Sequence, residues 1–314
     1  MLLNPDLKVV ALGGGHGLAA TLTSLRRITT QLTAIVTVAD NGGSSGRLRE
    51  EFNTLPPGDL RMALAALCAD DEWGKSWAEI MQYRFTSTGA MNGHAVGNLL
   101  LAALWDKDGD PVQGIDRVAS LLKVVGRVLP MAIEPLDIEG TFQSSVGRTI
   151  TRGQKEVAIA KGKLESLRLI PENATATPEG LAAIASADWI TFGPGSWFSS
   201  VLPHFLIKQQ IDAIMSSKAK KLVILNLDTA PSMRGDEFAG SSPAEHLSIL
   251  QKFAPNFHCD IALADTSVSL DKGAMEEAVS DIGGKLVVAD IASGGSVHHD
   301  PEKLGPVISH IFSL

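Results

Sequence analysis

The sequence predicts an α/β fold of the doubly wound kind, a mainly parallel sheet with a small antiparallel insertion. Three observations predict it. Short apolar runs rich in β-branched residues, beginning at 8–12, alternate with segments whose apolar residues recur at helical spacing. Glycine clusters follow three of those runs, after Leu12, Ala39 and Phe192. Polar or glycine residues close six of them, at Gly13, Asp40, Gly193, Asn226, Asp265 and Asp290, which predicts one crevice beyond the carboxyl ends of the strands.

Taken in order, 8–12 is a buried parallel strand ending in glycine. Leu18, Leu22, Leu25 and Ile28 share one face of a helix. The next strand covers 34–39. Asp59 is placed to cap a helix over 60–69, with Leu60, Leu64 and Leu67 inward. Further helices are expected over 75–85, 95–105 and 111–124, the last opened by Pro111 in its first turn.

From about 126 to 170 the texture changes. Prolines at 130 and 135, alternation over 133–142 and strand-like runs at 156–160 and 164–169 predict a β-rich insertion. The charged, glycine-bearing stretch 147–155 reads as a mobile turn within it. Alternation of strand and helix then resumes. A helix over 178–186 leads to a strand at 189–192, which closes on Gly193-Pro194-Gly195-Ser196. A helix over 205–215 precedes a strand at 221–225. Ser242-Pro243-Ala244-Glu245 is a capping box opening a helix to about 253. Strands at 261–264 and 286–289 and a final helix including 307–312 complete the chain. No internal repeat or low-complexity tract interrupts it, so 1–314 is read as a single α/β domain with an insertion.

Composition narrows the function classes. Net charge −8 argues against a broad nucleic-acid or anionic-membrane surface. Two cysteines, Cys68 and Cys259, lie far apart in apolar surroundings, which fits a reducing, cytoplasmic setting better than a disulfide framework. The first residues show neither a basic region nor a long apolar run, so no signal peptide is expected. No uncharged segment approaches the ~18 apolar residues of a membrane helix.

Gly15-His16-Gly17-Leu18-Ala19-Ala20 fits G-x-G-x-x-A directly after a strand and at the start of a helix. Asp40 ends the next strand, 23 residues beyond Gly17. Together they form the dinucleotide fingerprint in its required context, with pyrophosphate at the helix N-terminus and a carboxylate for ribose. The alternative is a tight structural turn. The stretch Asp40-Asn41-Gly42-Gly43-Ser44-Ser45-Gly46, followed by Pro56-Pro57-Gly58-Asp59-Leu60-Arg61, reads as the second wall of a nucleotide site. Its glycines let backbone N–H groups crowd a ligand. Gly42 to Gly46 also matches G-x-S-x-G, but no acid and histidine pair is evident for Ser44, and a phosphate-binding nest explains the stretch better.

Gly193, Gly195 and Ser196 form a second anion-binding candidate, with a plain turn as the alternative. His94 and Asn98 sit one turn apart at a helix start. Asp40, Asp59, Asp265 and Asp290 are carboxylates that could hold Mg²⁺ with a diphosphate. His298 and His299 have no matching ligand cluster and read as surface. A P-loop is absent, since position 69 is Ala, and the only tyrosine, Tyr83, lacks a lysine four residues on.

The ordered motifs GGGHGL at 13–18, VADNGGSSGRLR at 38–49, PPGDLR at 56–61, QYRF at 82–85, GHAVGNLL at 93–100, GRVLP at 126–130 and GPGS at 193–196 resemble the CofD-like superfamily, and within it the YvcK branch of gluconeogenesis factors. The resemblance spans most of the chain. His16 stands where many members have threonine, and Asn41 stands where the usual pattern has a second aspartate. The stretch 226–231 follows the family's counterpart only loosely.

The resemblance implies a three-layer α/β/α, Rossmann-like fold and a nucleotide site. It implies a regulator that binds a nucleotide sugar, with UDP-N-acetylglucosamine as leading ligand, acting on cell-wall metabolism and cell shape during gluconeogenic growth. Cell-wall enzymes, a homo-oligomer and a small nucleotide ligand are the partners that it suggests, without nucleic acid or membrane insertion. The CofD branch implies the alternative, a Mg²⁺-dependent 2-phospho-L-lactate transferase-type enzyme using a nucleotide-activated donor. On either reading Gly13, Gly14, Gly15, His16 and Gly17 are expected to face the diphosphate and Asp40 the ribose or a metal, with Asp59 as a second metal candidate. Asn41, Gly42, Gly43, Ser44, Ser45, Arg61, His94, Asn98, Gly193, Gly195, Ser196 and Asn226 are expected to line the rest. No catalytic residue is assigned.

Overall fold

The computed structural model describes residues 4–145, 147–227, 242–270, 272–294 and 298–314. The run Val-Val-Ala-Leu-Gly becomes strand β1 (Val9–Gly13), buried at every position. It needs no apolar–polar alternation because it is hydrogen-bonded on both edges and covered on both faces. Helix α1 (Gly15–Leu25) follows, then β2 (Leu32–Val36), which pairs parallel with β1 from Val9↔Leu32 to Gly13↔Val36. The chain stays extended through Thr37, whose N–H reaches Gly13 O at 3.0 Å. The strand thus ends three residues before the predicted limit of 39, and Asp40 hangs beyond it.

A run of helices comes next: α2 (Gly43–Phe52), α3 (Pro57–Ala66), α4 (Glu72–Gln82), α5 (Val96–Asp108) and α6 (Pro111–Leu121). Helix α2 escapes the sequence reading because it is mostly polar, with Leu48 and Phe52 its apolar residues. Asp59 does not cap α3. Pro56 occupies the cap with Pro57 behind it, which frees the Asp59 carboxylate. Helix α4 begins earlier than predicted, capped by Asp71, which accepts from Gly74 N at 2.7 Å.

Strand β3 (Arg127–Pro130) corrects the insertion boundary. It pairs parallel with β2, from Thr33↔Arg127 to Val36↔Pro130, and forms the edge of the main sheet. The insertion proper contains β4 (Asp137–Ser144), β5 (Gly147–Arg152), α7 (Gln154–Ala158) and β6 (Lys163–Ile170), in the antiparallel order β5-β4-β6. Residues predicted as a mobile turn are therefore mostly a paired strand, whose Thr149 lies opposite Phe142. Residues 156–158, predicted as strand, are helical.

The main sheet continues through α8 (Pro178–Ser186), β7 (Trp189–Phe192), α9 (Lys208–Ser216), β8 (Lys220–Ile224), α10 (Pro243–Phe253), β9 (Ile261–Asp265), α11 (Lys272–Asp281), β10 (Lys285–Ala289) and α12 (Pro301–Phe312). Two features differ from expectation. A π-helical turn, Trp197–Val201, and a 3-10 turn, Leu202–Phe205, precede α9, so the predicted helix over 205–215 starts late. The final helix starts early, at Pro301, capped by Asp300.

Seven parallel strands run in the order β10-β9-β8-β7-β1-β2-β3. Strand order reverses between β1 and β7. Helices α1, α3 and α12 pack together on one face, while α8 with α9 and α10 with α11 pack on the other, giving three layers. Among the described residues no helix is long and apolar enough to cross a membrane.

Behind β7 the core is aromatic. Phe192 stacks on Phe205 at 5.2 Å, and Phe257 meets both edge-on at 5.3 and 5.1 Å. Phe257→Ala removes one corner of this triangle. The expected loss is about 3–5 kcal/mol, read as a lower midpoint in denaturant unfolding with little change in slope.

Candidate functional site

The crevice lies where strand order reverses, and its first wall is the turn between β1 and α1. Gly14 is the N-cap of α1 and supplies no side-chain cap, and no acidic residue occupies the first turn. The first-turn N–H groups and the positive end of the helix dipole therefore favour an anion there, and the Asp59 carboxylate already takes the Gly15 N–H. Gly15 has φ +59°, a conformation that favours glycine. The tightest approaches are on either side of it. A Cβ on Gly14 would fall 2.4 Å from Thr37 Oγ1 and 2.6 Å from Asp59 Oδ2, and one on Gly17 would fall 2.1 Å from the Pro194 carbonyl oxygen.

That last contact joins the turn after β1 to the turn after β7. Asn226, just past β8, holds the β7 turn by a reciprocal pair. Its Oδ1 accepts from Gly195 N and its Nδ2 donates to Gly195 O, both at 2.9 Å. Thr21 Oγ1 donates to Gly193 O at 3.3 Å. Ser196 caps the π-helical turn, accepting from Ser199 N. From behind, His204 Nε2 donates to Gly13 O at 3.4 Å while its Nδ1 accepts from Gln210 at 2.6 Å. Burial pushes the His204 pKa down to about 4, so it is a neutral strut.

The second wall comes from the segment after β2. Asp40 Oδ1 accepts from Gly42 N at 2.8 Å, and Ser45 Oγ accepts from Gly58 N at 3.0 Å. A Cβ on Gly58 would meet Ser45 Oγ at 2.4 Å and Asp40 Oδ2 at 3.2 Å, so the α3 N-terminus is pressed onto Asp40. Gly43 has φ +51° with open space around it. Ser44 is buried. Its hydroxyl accepts from Asn98 Nδ2 and bonds His94 Nδ1, each at 3.0 Å. His94 and Asn98 thus meet on Ser44 and lock the start of α2 to the start of α5. Burial lowers the His94 pKa, with the Arg47 charge adding to it.

Asn41 turns away from the crevice. Its Nδ2 donates to Glu156 of α7 at 2.9 Å. The carboxylate that faces Asp40 is Asp59. It accepts from Thr37 Oγ1 at 3.4 Å and from the Gly15 N–H. Burial, and then the Asp40 charge, push the Asp59 pKa up to about 7, against the pull of Thr37, Gly15 and Arg61.

Cations gather beside this acidic pair. Arg61 is buried and bonds Gln82, while its Nε has no partner. Burial and Arg84 lower its pKa to about 10, with Asp59 opposing. His16 is lowered by burial and by the charges of His298, Arg61 and Arg84. The His16 and His298 rings stand 6.0 Å apart. Arg84 and His298 were not assigned to the site from sequence. QYRF marked the neighbourhood of Arg84, whereas nothing in the spacing of His298 tied it to His16. Its neighbour His299 is buried rather than surface, with Nε2 donating to Leu225 O at 3.1 Å.

Two predicted metal candidates lie elsewhere. Asp265 is consumed by the N–H groups of Ser267, Ile291 and Ala292 at 2.9, 2.9 and 3.1 Å. Asp290 pairs with Lys303 at 2.8 Å. The carboxylates of Asp265 and Asp290 are therefore taken, and the crevice draws on the ends of β1, β2, β7 and β8, with His298 added from the chain after β10. Residues 228–231 lie outside the described residues. Among those described, no group of three or more His, Cys, Asp or Glu could hold a metal. Asp40 and Asp59 still fit Mg²⁺, which takes one or two carboxylates and fills its remaining positions with phosphate oxygens and water.

The folded protein keeps the Asp59 proton up to about pH 7, whereas an ordinary aspartate releases it near 3.8. The native state therefore binds more protons than the unfolded chain between those values, and ligand-free stability falls as pH rises through that window. Asp59→Asn keeps an acceptor for Thr37 and Gly15 but removes the charge. Above pH 7 it is expected to raise ligand-free stability by roughly 1–3 kcal/mol, discounted for the open crevice. Thermal unfolding at pH 5, 6, 7 and 8 reads this as a flatter pH profile than wild type.

The chain matches the protein-family profile described as "2-phospho-L-lactate transferase CofD" over residues 9–297. It is 42% identical over 310 residues to a Mycobacterium tuberculosis protein named "Putative gluconeogenesis factor", covering 96% of this chain and 90% of that one. It is 37% identical over 257 residues to the "Gluconeogenesis factor" of Halalkalibacterium halodurans, covering 82% and 75%. An X-ray structure of a Bacillus halodurans protein superposes with TM-score 0.84 at 31% identity, covering 98% and 99%. The matched span contains the residues of both sheets and both glycine turns, and the chain belongs to the CofD-like family, in its gluconeogenesis-factor (YvcK-type) branch.

Proposed function

We propose that this protein is a cytoplasmic nucleotide-sugar-binding regulator of cell-wall metabolism and cell shape, with UDP-N-acetylglucosamine or a close relative as ligand. The carrying observation is the two-signed crevice. An acidic pair, Asp40 and Asp59, stands beside the arginines Arg61 and Arg84 at the start of α1, where His16 is kept from charging by burial and by those cations. A diphosphate accompanied by Mg²⁺ answers both signs at once. Its oxygens would meet the first-turn N–H groups that Asp59 leaves free, with Arg61 and Arg84 beside them, while Asp40 and Asp59 would hold the metal. Gly193, Gly195, Ser196 and Asn226 supply the opposite wall. Mg²⁺, when bound, contributes charge neutralisation of the phosphates. Gly42, Gly43, Ser45 and the buried Ser44 present the first turn of α2 to the same space.

A second reading rests on the transferase description of the family profile. Phosphoryl transfer asks a protein mainly for positioning and electrostatic stabilisation, which a crevice of this kind supplies without a nucleophile. The names of the relatives favour the regulator. Incubation with a phospholactyl-guanosine donor, Mg²⁺ and a deazaflavin separates the two. No product is expected, and steady turnover would establish the transferase.

Calorimetric titration with UDP-N-acetylglucosamine, GDP and NAD tests the site itself. Binding of the UDP-sugar is expected to require Mg²⁺ and to weaken at least ~10-fold in Asp40→Ala. Metal binding needs Asp59 ionised, so affinity should rise with pH up to about 7 and level off above it. Unchanged affinity in Asp40→Ala, or a flat profile from pH 5 to 8, counts against the assignment.

A further inference from the structure

Helix α2 has a second end, and it borders a different cavity. A groove of about 680 Å³ opens between the carboxyl ends of α2 and α5, the starts of α6 and α8, and the connection from β3 to β4. Its size is that of a ligand or peptide site. It shares no residue with the crevice. Trp105 and Leu55 are buried in its floor, while Phe52 and Ile133 stand 46% and 51% exposed, large apolar side chains left facing water.

The polar lining has one sign. Asp106, Asp110 and Glu179 border the groove, and no lysine, arginine or histidine does. Asp110 is occupied as the cap of α6, accepting from Gln113 N at 3.0 Å and Gln113 Nε2 at 2.9 Å. The cations nearby are taken. Lys107 and Arg117 pair with Asp108, and Arg127, which also feels the Glu179 charge, pairs with Asp116. Among the described residues Asp106 and Glu179 make no ion pair of their own, and Asp106 is exposed. A long side chain with an aliphatic stem and a cationic head suits carboxylates set among apolar walls.

We propose that this groove docks a short basic–apolar segment of a partner protein, in which an arginine or lysine is flanked by aliphatic or aromatic residues. Phe52 and Ile133 grip the apolar flanks, and Asp106 and Glu179 receive the cation. The interaction surface is independent of whatever the crevice binds. About 12 Å of helix separates Phe52 from Ser44.

The test is a random heptapeptide phage library selected on the full chain and counter-selected on the Phe52→Ser/Ile133→Ser variant. Both substituted side chains are exposed, and matching thermal midpoints confirm that the variant folds. The expected consensus carries arginine or lysine beside leucine, isoleucine or an aromatic residue. The synthetic consensus peptide should bind about tenfold more weakly to Asp106→Asn/Glu179→Gln and equally well to Asp40→Asn. An acidic or uncharged consensus, or none specific to the wild type, overturns the proposal. Loss of binding in Asp40→Asn also overturns it, by placing the peptide on the crevice carboxylates. So does spermidine binding as tightly as the peptide, which marks a small-cation site, or a peptide-free dimer that Phe52→Ser/Ile133→Ser dissociates, which marks a self-interface.

Discussion

The close approach of Gly17 to the Pro194 carbonyl is the constraint on which the rest of the site depends. Strands β1 and β7 are neighbours, yet the helices that follow them leave on opposite faces, so a gap opens beyond their ends. Only the missing side chain at Gly17 lets the two turns close that gap on one side. Each other support acts on the same pair of turns. Thr21 and Asn226 hold the β7 turn, and His204 holds Gly13 from within the core. The position of the α1 N-terminus relative to β7 is thereby set by the backbone approach at Gly17 and by side chains that bond backbone groups of the two turns.

Electrostatics explains why the site is expensive when empty. Asp40 and Asp59 repel, and burial magnifies the repulsion, so Asp59 holds its proton to near neutrality. Arg61 is buried with an unpartnered Nε beside Arg84. Neither arrangement favours the folded chain by itself. Both are relieved by a ligand that brings a cation to one side and anionic oxygens to the other. Stored electrostatic strain of this kind concentrates where proteins bind. It is local, since the chain as a whole carries net charge −8.

Much of this was legible in the sequence, and what was not has identifiable causes. Strands β1 and β7 were plain because buried parallel strands are continuous apolar runs, and Gly15-His16-Gly17 gained its meaning from the strand before it, the helix after it and Asp40. Helix α2 was hidden because its stability comes from tertiary anchors, such as Arg49 on Leu136 O and Asp137, and not from an apolar stripe. Strand β3 was misassigned because four residues carry no periodicity that separates a sheet edge from an insertion. The carboxylate partner of Asp40 could not be read from spacing either. Its neighbour Asn41 lacks the charge, and the partner comes from a helix start that proline capping leaves free. His298 meets His16 only because the chain after β10 returns across the end of the sheet.

The insertion gains a meaning from the residue that seemed a defect. Asn41, where a second carboxylate was expected, bonds Glu156 and accepts from Lys155 N at 3.4 Å. Both partners belong to α7, whose other contacts include the π-helical turn after β7. Helix α7 therefore touches the segment after β2 and the segment after β7, the two rims of the crevice. An aspartate at 41 would set its charge against Glu156 and forfeit the donor of that bond. Asparagine is thus the residue that lets the insertion brace both walls, while the carboxylates that face each other in the crevice are those of Asp40 and Asp59.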